Sequence, residues 1–229
     1  MVAGIMHFGS GLGNQLFRFI GSRTLADRKH EEHGMVAPEL FKGKDFMTLP
    51  IIDAGLEYKI QPQTGKVIIE DLKNVTVVDA EFQSEKDWDI DEVRKWLVTE
   101  SVEIPDDVCI INFRGGEYRY FPELYLTKEY WQEAKVMMLQ QNINMRFEVH
   151  TDDAQAAYEF FPDLKRIQSI ETNWKALRYA KYAIISNSSF AILPRLLSGG
   201  YTIAPKFWAG HNKGYWQEPQ NCYKKFQYI

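Results

Sequence analysis

Residues 182–204, YAIISNSSFAILPRLLSGGYTIA, decide the fold class of this 229-residue chain. An apolar run at 182–187 has the length of a buried strand, and a serine pair, Ser188 and Ser189, can open the helix that follows. Two glycines end that helix before a second apolar run. A strand, a helix and a strand joined by short connections predict a parallel crossover unit.

The same alternation continues outward in both directions. Pro105, flanked by acidic residues, is a plausible boundary between two α/β units, residues 1–104 and 105–229. The pattern predicts doubly wound parallel sheets. Strands are predicted at 2–8, 66–70, 75–82, 107–114 and 145–151, and helices at 14–29, 89–100, 127–141, 153–160 and 174–180.

Polar residues follow four of these strands, and ligands of open α/β sheets bind outside the carboxyl ends of the strands. We therefore expect the four stretches to lie at such edges. They are GSGLGNQ (9–15), RGGEY (114–118), TDD (151–153) and SNSS (186–189).

Each stretch has a binding interpretation and a structural one. Arg114 can form paired hydrogen bonds with phosphate oxygens, or it can form a surface ion pair with Glu117. Asp152 or Asp153 can accept hydrogen bonds from a guanine edge or a ribose, while the other caps a helix. The serine pair stands at the positive end of a helix, where it can hold a diphosphate, cap the helix, or do both.

The first stretch fits no familiar phosphate loop. No Lys-Ser or Lys-Thr pair follows it, and Gly9, Gly11 and Gly13 do not have the GxGxxG spacing. Its glycines allow close backbone approach to a ligand, and Asn14 and Gln15 offer amide groups at a helix start. A tight strand-to-helix turn capped by Asn14 explains the same residues.

Composition excludes several classes of protein. Only Cys109 and Cys222 are present, without a Cys/His cluster, which argues against a zinc site and fits a reducing cytoplasm. No apolar run has the length of a membrane span, and the first residues do not resemble a signal peptide. Residues 164–229 hold ten Lys/Arg and two acids, which favours an anionic ligand. The acidic half at 1–104 disfavours nucleic acid.

Taken in order, these motifs resemble the family 11 glycosyltransferases, the α-1,2-fucosyltransferases, and more distantly the wider GDP-fucose-dependent superfamily. GLGNQLF (11–17) looks like the family's N-terminal signature, and EFQSEKDW (81–88) resembles its Phe-Gln-Ser segment. FRGGEY (113–118) corresponds to its His-x-Arg-Arg-Gly-Asp-Tyr motif. Later matches are TDDAQAAYEFF (151–161), YAKYAIISNSSF (179–190) and IAPKFW (203–208).

The resemblance implies a GT-B fold, with two Rossmann-like units facing a cleft. It implies an inverting enzyme that uses GDP-β-L-fucose, a glycan acceptor and no metal or other cofactor. The unit at 105–229 would bind the donor, and the unit at 1–104 would lie on the acceptor side. Because the chain is shorter than usual for this family, we expect its N-terminal unit to be small and truncated.

The resemblance also implies residue roles. Arg114 would clamp the β-phosphate, Asp152 would read guanine, and Asn14 would face the phosphates or the sugar. Glu117 is the candidate general base, with His7 as a remote second. The remaining predicted donor contacts are Gly11, Gly13, Gln15, Asn112, Asn187, Ser188, Ser189 and the Phe190 backbone.

Three departures leave alternatives open. The family's His is Asn112 here, its second Arg is Gly115, and its Asp is Glu117. A different GDP-sugar donor, or a degenerate module that binds nucleotide or glycan without turnover, is compatible with these changes. Arg195 is a hypothetical source of the charge missing at Gly115. The basic, aromatic tail at 212–229 packs as an extension or contacts a membrane peripherally.

Overall fold

The computed structural model describes residues 1–83, 87–206 and 226–229. Its contacts divide the chain into two compact units, Met1–Thr99 and Glu100–Ile229. We call them unit 1 and unit 2 and describe each by itself.

Unit 1 is built on a small parallel sheet in which β1 lies between β2 and β6. Two antiparallel pairs, β3 with β7 and β4 with β5, stand outside this sheet. The elements of unit 1 are β1 (Val2–Ile5), α1 (Leu12–Lys29), β2 (His33–Val36), β3 (Met47–Thr48), β4 (Tyr58–Ile60), β5 (Val67–Ile69), β6 (Thr76–Val78), α2 (Ile90–Trp96) and β7 (Val98–Thr99).

Unit 2 is a six-stranded parallel sheet in the order β10-β9-β8-β11-β12-β13. Its central strand β8 is buried along its whole length, as its continuous apolar sequence predicts. The elements of unit 2 are β8 (Val108–Phe113), α3 (Lys128–Gln141), β9 (Arg146–Thr151), α4 (Ala154–Phe160), β10 (Arg166–Ile167), α5 (Ile170–Tyr179), β11 (Tyr182–Ile185), α6 (Ser189–Ser198), β12 (Tyr201–Ala204) and β13 (Phe226–Tyr228).

An aromatic cluster packs α3 and α4 against the sheet of unit 2. Phe113, at the end of β8, lies 5.5 Å from Trp131 and 5.1 Å from Phe160 between ring centroids. Trp131 also meets Phe161 edge to face. These ring contacts stabilise the end of β8, from which Arg114 follows.

Several predicted elements differ at their ends. Helix α1 begins at Leu12 instead of 14, helix α2 ends at Trp96 instead of 100, and β6 ends at Val78 instead of 82. Helix α2 stops early because Val98–Thr99 pair with β3. The sequence interpretation missed β2 and β13, which are short strands whose pairing with β1 and β12 comes from the tertiary fold.

Candidate functional site

The chain reverses direction across the sheet of unit 2 between β8 and β11. From β8 it proceeds outward to β9 and β10, and then crosses back to place β11 on the other side of β8. Such a topological switch point opens a crevice outside the carboxyl ends of the two strands, which is where doubly wound sheets bind ligands. The residues that follow β8, β9 and β11 are therefore the candidate site of unit 2.

Strand register brings the predicted site residues together. Phe113 pairs with Thr151, so that Arg114 and Asp152 are the next residues on neighbouring strands. Arg114 donates from Nη1 to Asp152 Oδ2 at 2.5 Å and from Nη2 to Glu117 Oε1 at 2.6 Å. The ion pair with Glu117 thus forms as the surface alternative predicts. A guanidinium has five N–H donors, so two carboxylate partners leave donors for an anion.

The two aspartates have different positions. Asp153 caps α4, since its side chain accepts from the backbone N–H of Ala156 at 2.9 Å. Asp152 uses both oxygens toward the RGGEY turn, because Oδ1 also accepts from the Gly115 N–H at 2.8 Å. Asp152 therefore joins the two strand ends, and a guanine edge would compete with Arg114 for the same carboxylate.

Gly115 allows this turn to lie close to α4. A Cβ atom at Gly115 would come within 2.6 Å of Asp153 Cβ and 3.2 Å of Ala156 Cβ. The next residue, Gly116, has a φ of +45°, which favours glycine. An arginine at position 115, as in the family motif, would collide with the start of α4. Position 115 therefore accepts no side chain unless Asp153 or Ala156 shifts.

Tyr118 completes the surroundings of Arg114. The Arg114 guanidinium carbon lies 5.0 Å from the centre of the Tyr118 ring. Burial raises the pKa of Tyr118, and Arg114 opposes that shift, so that the phenol keeps its proton at neutral pH. The ring lies beside the guanidinium at cation–π distance.

The serines stand at the second strand end of the switch point. Ser188 is the N-cap residue of α6, yet its side chain makes no capping hydrogen bond. Its backbone oxygen accepts from the Ala191 N–H at 2.9 Å, and the N–H groups of Ser189 and Phe190, in the first turn, have no backbone acceptor among the described residues. Two hydroxyls and two N–H groups at a helix N-terminus form an arrangement suited to a diphosphate.

The two asparagines lie beneath this turn. Asn112 is buried and accepts a hydrogen bond from the Ser186 hydroxyl at 2.9 Å, which ties β8 to the end of β11. Asn187 donates to the Leu124 carbonyl at 3.0 Å, while its buried Oδ1 has no partner among the described residues. Their observed contacts support the turn, and their predicted contact with the donor stays a prediction.

The first predicted stretch lies in unit 1, at the carboxyl end of β1. Gly11 is the N-cap of α1, and a Cβ there would meet nothing within 4 Å. Gly13 and Asn14 fall in the first helical turn, so the predicted cap at Asn14 is wrong. Gln15 is buried and bonds the backbone of His7, Leu40 and Lys42. Its amide serves the fold, and we leave it out of the proposed donor contacts.

His7 has both ring nitrogens engaged. Its Nδ1 accepts from the Val67 N–H at 2.9 Å, which places the proton on Nε2, and Nε2 lies 2.9 Å from Asp79 Oδ1. The observed hydrogen bonds give His7 a supporting position rather than that of an open base. These contacts do not favour His7 as the base.

Sequence reasoning missed a polar network beside His7. Arg18 bonds both Asp79 and Glu81, and Asn14 donates to Glu81 Oε1 at 3.1 Å. The sequence signal for this network was Asp79, a polar residue directly after the apolar pair Val77–Val78, where β6 ends. The predicted strand runs through Asp79 to Phe82, which hid the strand end.

Arg195 does not replace the charge missing at Gly115, and that hypothesis is wrong. It is fully buried and donates to the carbonyls of Leu177, Ala180 and Tyr201. Burial lowers the pKa of Arg195 to about 10. Tyr201 begins β12, so these contacts lie at the amino edge of the sheet, opposite the switch-point crevice.

Other predictions meet the limits of the described residues. Ser84–Lys86 of the Phe-Gln-Ser segment, Phe207 and Trp208 of the closing motif, and residues 212–225 of the tail lie outside them. Among the described residues there is no group of three or more His, Cys, Asp or Glu side chains arranged to hold a metal ion. None of the described helices is both long and apolar enough to cross a bilayer.

Comparison with known proteins identifies the fold. No family model matches the chain, and no curated protein sequence matches it either. Solved structures do match. One is a NodZ alpha-1,6-fucosyltransferase soaked with GDP-fucose, with a TM-score of 0.54 at 12% identity over 87% of this chain and 94% of that one. The same enzyme co-crystallised with GDP gives 0.50 at 13% identity over the same shares. The chain therefore has the mixed α/β, parallel-sheet architecture of the GT-B fold.

Proposed function

We propose that this chain is a fucosyltransferase that moves L-fucose from GDP-β-L-fucose to a hydroxyl of a glycan, the O2 of a galactoside, with inversion and without a metal. The observation that carries the proposal is that Arg114 follows β8 and the N-terminus of α6 follows β11, the two neighbouring strands of the switch point in unit 2. Both features bind anions, and both follow neighbouring strands of one sheet.

In the proposed reaction, these two groups stabilise the departing nucleoside diphosphate. As the glycosidic bond breaks, negative charge grows on the β-phosphate. Arg114 supplies a permanent positive charge, and the first turn of α6 supplies oriented N–H dipoles. Because both are fixed before the reaction, they stabilise the developing charge without reorganising.

The acceptor hydroxyl must lose its proton during transfer. Glu117 is the proposed base, because it stands where the resembled motif has Asp and its side chain is 59% exposed beside Arg114. Its present partner is Arg114 Nη2, so a bound phosphate that draws Arg114 away would release the Glu117 carboxylate. A largely dissociative path would reduce the demand on this base.

The direct test is transfer by the purified chain. GDP-fucose is incubated with lactose, lacto-N-biose and N-acetyllactosamine, and the products are weighed by mass spectrometry. One added deoxyhexose, linked at O2 of galactose, is the expected result. No transfer together with no binding of GDP would contradict the proposal.

A second donor is favoured by one observation, the absence of the family's second arginine at Gly115. The close packing of Gly115 against α4 leaves no room for an arginine at this position. The site therefore has one positive charge fewer than the motif implies. GDP-mannose is therefore included in the same assay. Transfer of mannose instead of fucose would select that alternative, and GDP binding without any transfer would indicate a binding module without turnover.

A further inference from the structure

A second topological switch point lies in unit 1. Strand β1 continues through α1 to β2 on one side, and β6 lies on its other side. The crevice rule therefore applies outside the carboxyl ends of β1 and β6, where His7, Arg18 and Asp79 meet. The donor proposal places only Gly11, Gly13 and Asn14 at this edge and gives no role to the carboxylates.

Asp79 is held with one oxygen bonded and one open. Its Oδ1 accepts from His7 Nε2 and from Arg18 Nη1. The nearest described ionic partner of Oδ2 is Lys66 Nζ at 4.0 Å, which is beyond hydrogen-bond distance. The side chain is 34% exposed, so Oδ2 can accept from a ligand.

Arg18 fixes two carboxylates in one orientation. Its Nη1 bonds Asp79, and its Nη2 lies 3.2 Å from Glu81 Oε1. Arg18 is only 9% exposed, and its Nε has no partner among the described residues. A buried guanidinium that reaches out to two surface carboxylates pre-organises them, which lowers the cost of ordering them around a ligand.

An exposed aromatic ring lies at the same edge. Phe8 follows His7 directly and is 61% exposed. A Cβ at Gly65 would come within 3.2 Å of Phe8 Cδ1, so the ring lies along the turn that carries Lys66. Lys66, the next residue, places its Nζ 4.0 Å from Asp79 Oδ2, so one turn lies beside both Phe8 and Asp79.

The formal charges of this edge cancel. Asp79 and Glu81 balance Arg18 and Lys66, and what the edge offers a ligand is the acceptor Asp79 Oδ2. Burial alone would raise the pKa of Asp79, but the hydrogen bonds from His7 and Arg18 lower it overall. A carboxylate kept ionised in this way accepts hydrogen bonds from hydroxyl groups and is a poor proton acceptor.

We propose that Phe8 and Asp79 form a binding site for a neutral saccharide, with the sugar ring on the Phe8 face and a sugar hydroxyl donating to Asp79 Oδ2. This inference rests on the proposed function, where the saccharide is the acceptor. It adds the residues that hold it, and it requires no bound donor.

The test measures galactoside binding separately from GDP binding. Full-length wild type, D79N, F8A, F8W and the control D45N are titrated with lactose and with N-acetyllactosamine by NMR, and with GDP by calorimetry. Asp45 is an exposed carboxylate of the same unit. We expect D79N and F8A to weaken galactoside binding about tenfold or more, F8W to retain it within about twofold, and GDP affinity to be unchanged.

Each outcome decides the proposal. Unchanged galactoside affinity in D79N and F8A, or no galactoside binding by wild type, would overturn it. If D79N does not fold, F8A and F8W carry the test, because Phe8 is exposed. Galactoside binding that depends on Phe8 and Asp79 in a protein that does not bind GDP would support this site and contradict the proposed donor.

Discussion

Arg114 and Asp152 join the carboxyl ends of β8 and β9 through a hydrogen bond of 2.5 Å between Nη1 and Oδ2. The register of the strands makes them neighbours, and Gly115 adds a backbone bond to the same carboxylate. The proposed phosphate clamp and the proposed guanine reader are thus one hydrogen-bonded unit. Substitution of either residue is expected to affect the other.

Arg114→Lys should weaken GDP binding about tenfold or more. Lysine keeps the charge and loses the planar fork that matches phosphate oxygens. Calorimetric titration with GDP measures the effect. Arg146→Lys is the matched control, because Arg146 also pairs with a carboxylate, Asp107, but at the start of β9. Equal losses in both variants would remove Arg114 from the donor site.

Asp152→Asn separates guanine reading from the support of Arg114. A carboxylate that reads guanine accepts from its ring N–H and its amino group, and inosine lacks that amino group. If Asp152 reads the base, D152N should lower GDP affinity more than IDP affinity, and the preference for GDP should decrease. An equal loss for the two nucleotides would show that Asp152 only positions Arg114.

Ser188→Ala should reduce GDP affinity at little cost in stability, because the Ser188 side chain makes no capping bond. Ser169 is the matched control: it caps α5 by accepting from the Thr172 N–H at 3.2 Å. Ser169→Ala should lower the free energy of unfolding by about 1 kcal/mol and leave GDP binding intact. Urea unfolding and GDP titration of both variants provide the comparison. Unaltered GDP binding by S188A would contradict a hydroxyl contact with the diphosphate.

Sequence could predict the ends of β8 and β11 because each is a continuous apolar run followed by polar residues, Arg114 after β8 and Ser186 to Ser189 after β11. Strand β9 alternates apolar and polar residues, and the Asp152–Asp153 pair marks its end. The end of β6 was not predicted correctly, because the residues after Val78 mix polar and apolar side chains up to Phe82 and were read as a continuation of the strand. The strand ends at Val78 because its pairing with β1 ends there, and that pairing depends on the tertiary fold.

Helix direction explains the error at Arg195. Helix α6 leaves the carboxyl edge of β11 and returns to the amino edge of β12. Arg195 lies six residues after Ser189, which is about 9 Å along a helix. The number of residues from Ser189 therefore predicts that Arg195 lies far from the carboxyl edge of the sheet. Its burial and its carbonyl partners could be seen only in the structure.

Arg195→Met should lower the free energy of unfolding by about 3 kcal/mol or more. The change leaves the carbonyls of Leu177 and Ala180 and the Thr202 hydroxyl without their guanidinium donor. Denaturant unfolding measures the loss. The GDP affinity of the folded fraction should match that of wild type. A loss of GDP binding without a loss of stability would instead support a role of Arg195 in donor binding.

His33 should make stability fall as the pH decreases from about 6.5 to 4. Burial, with a smaller effect of Arg23, lowers the pKa of His33 to about 4. In that window the unfolded chain binds a proton that the folded chain does not, so the free energy of unfolding decreases by up to about 1.4 kcal/mol per pH unit. His33→Gln should reduce this slope, whereas His30→Asn at the exposed end of α1 should not. Thermal unfolding from pH 4 to 8 compares the three proteins, and parallel curves for wild type and H33Q would show that His33 does not remain neutral in the fold.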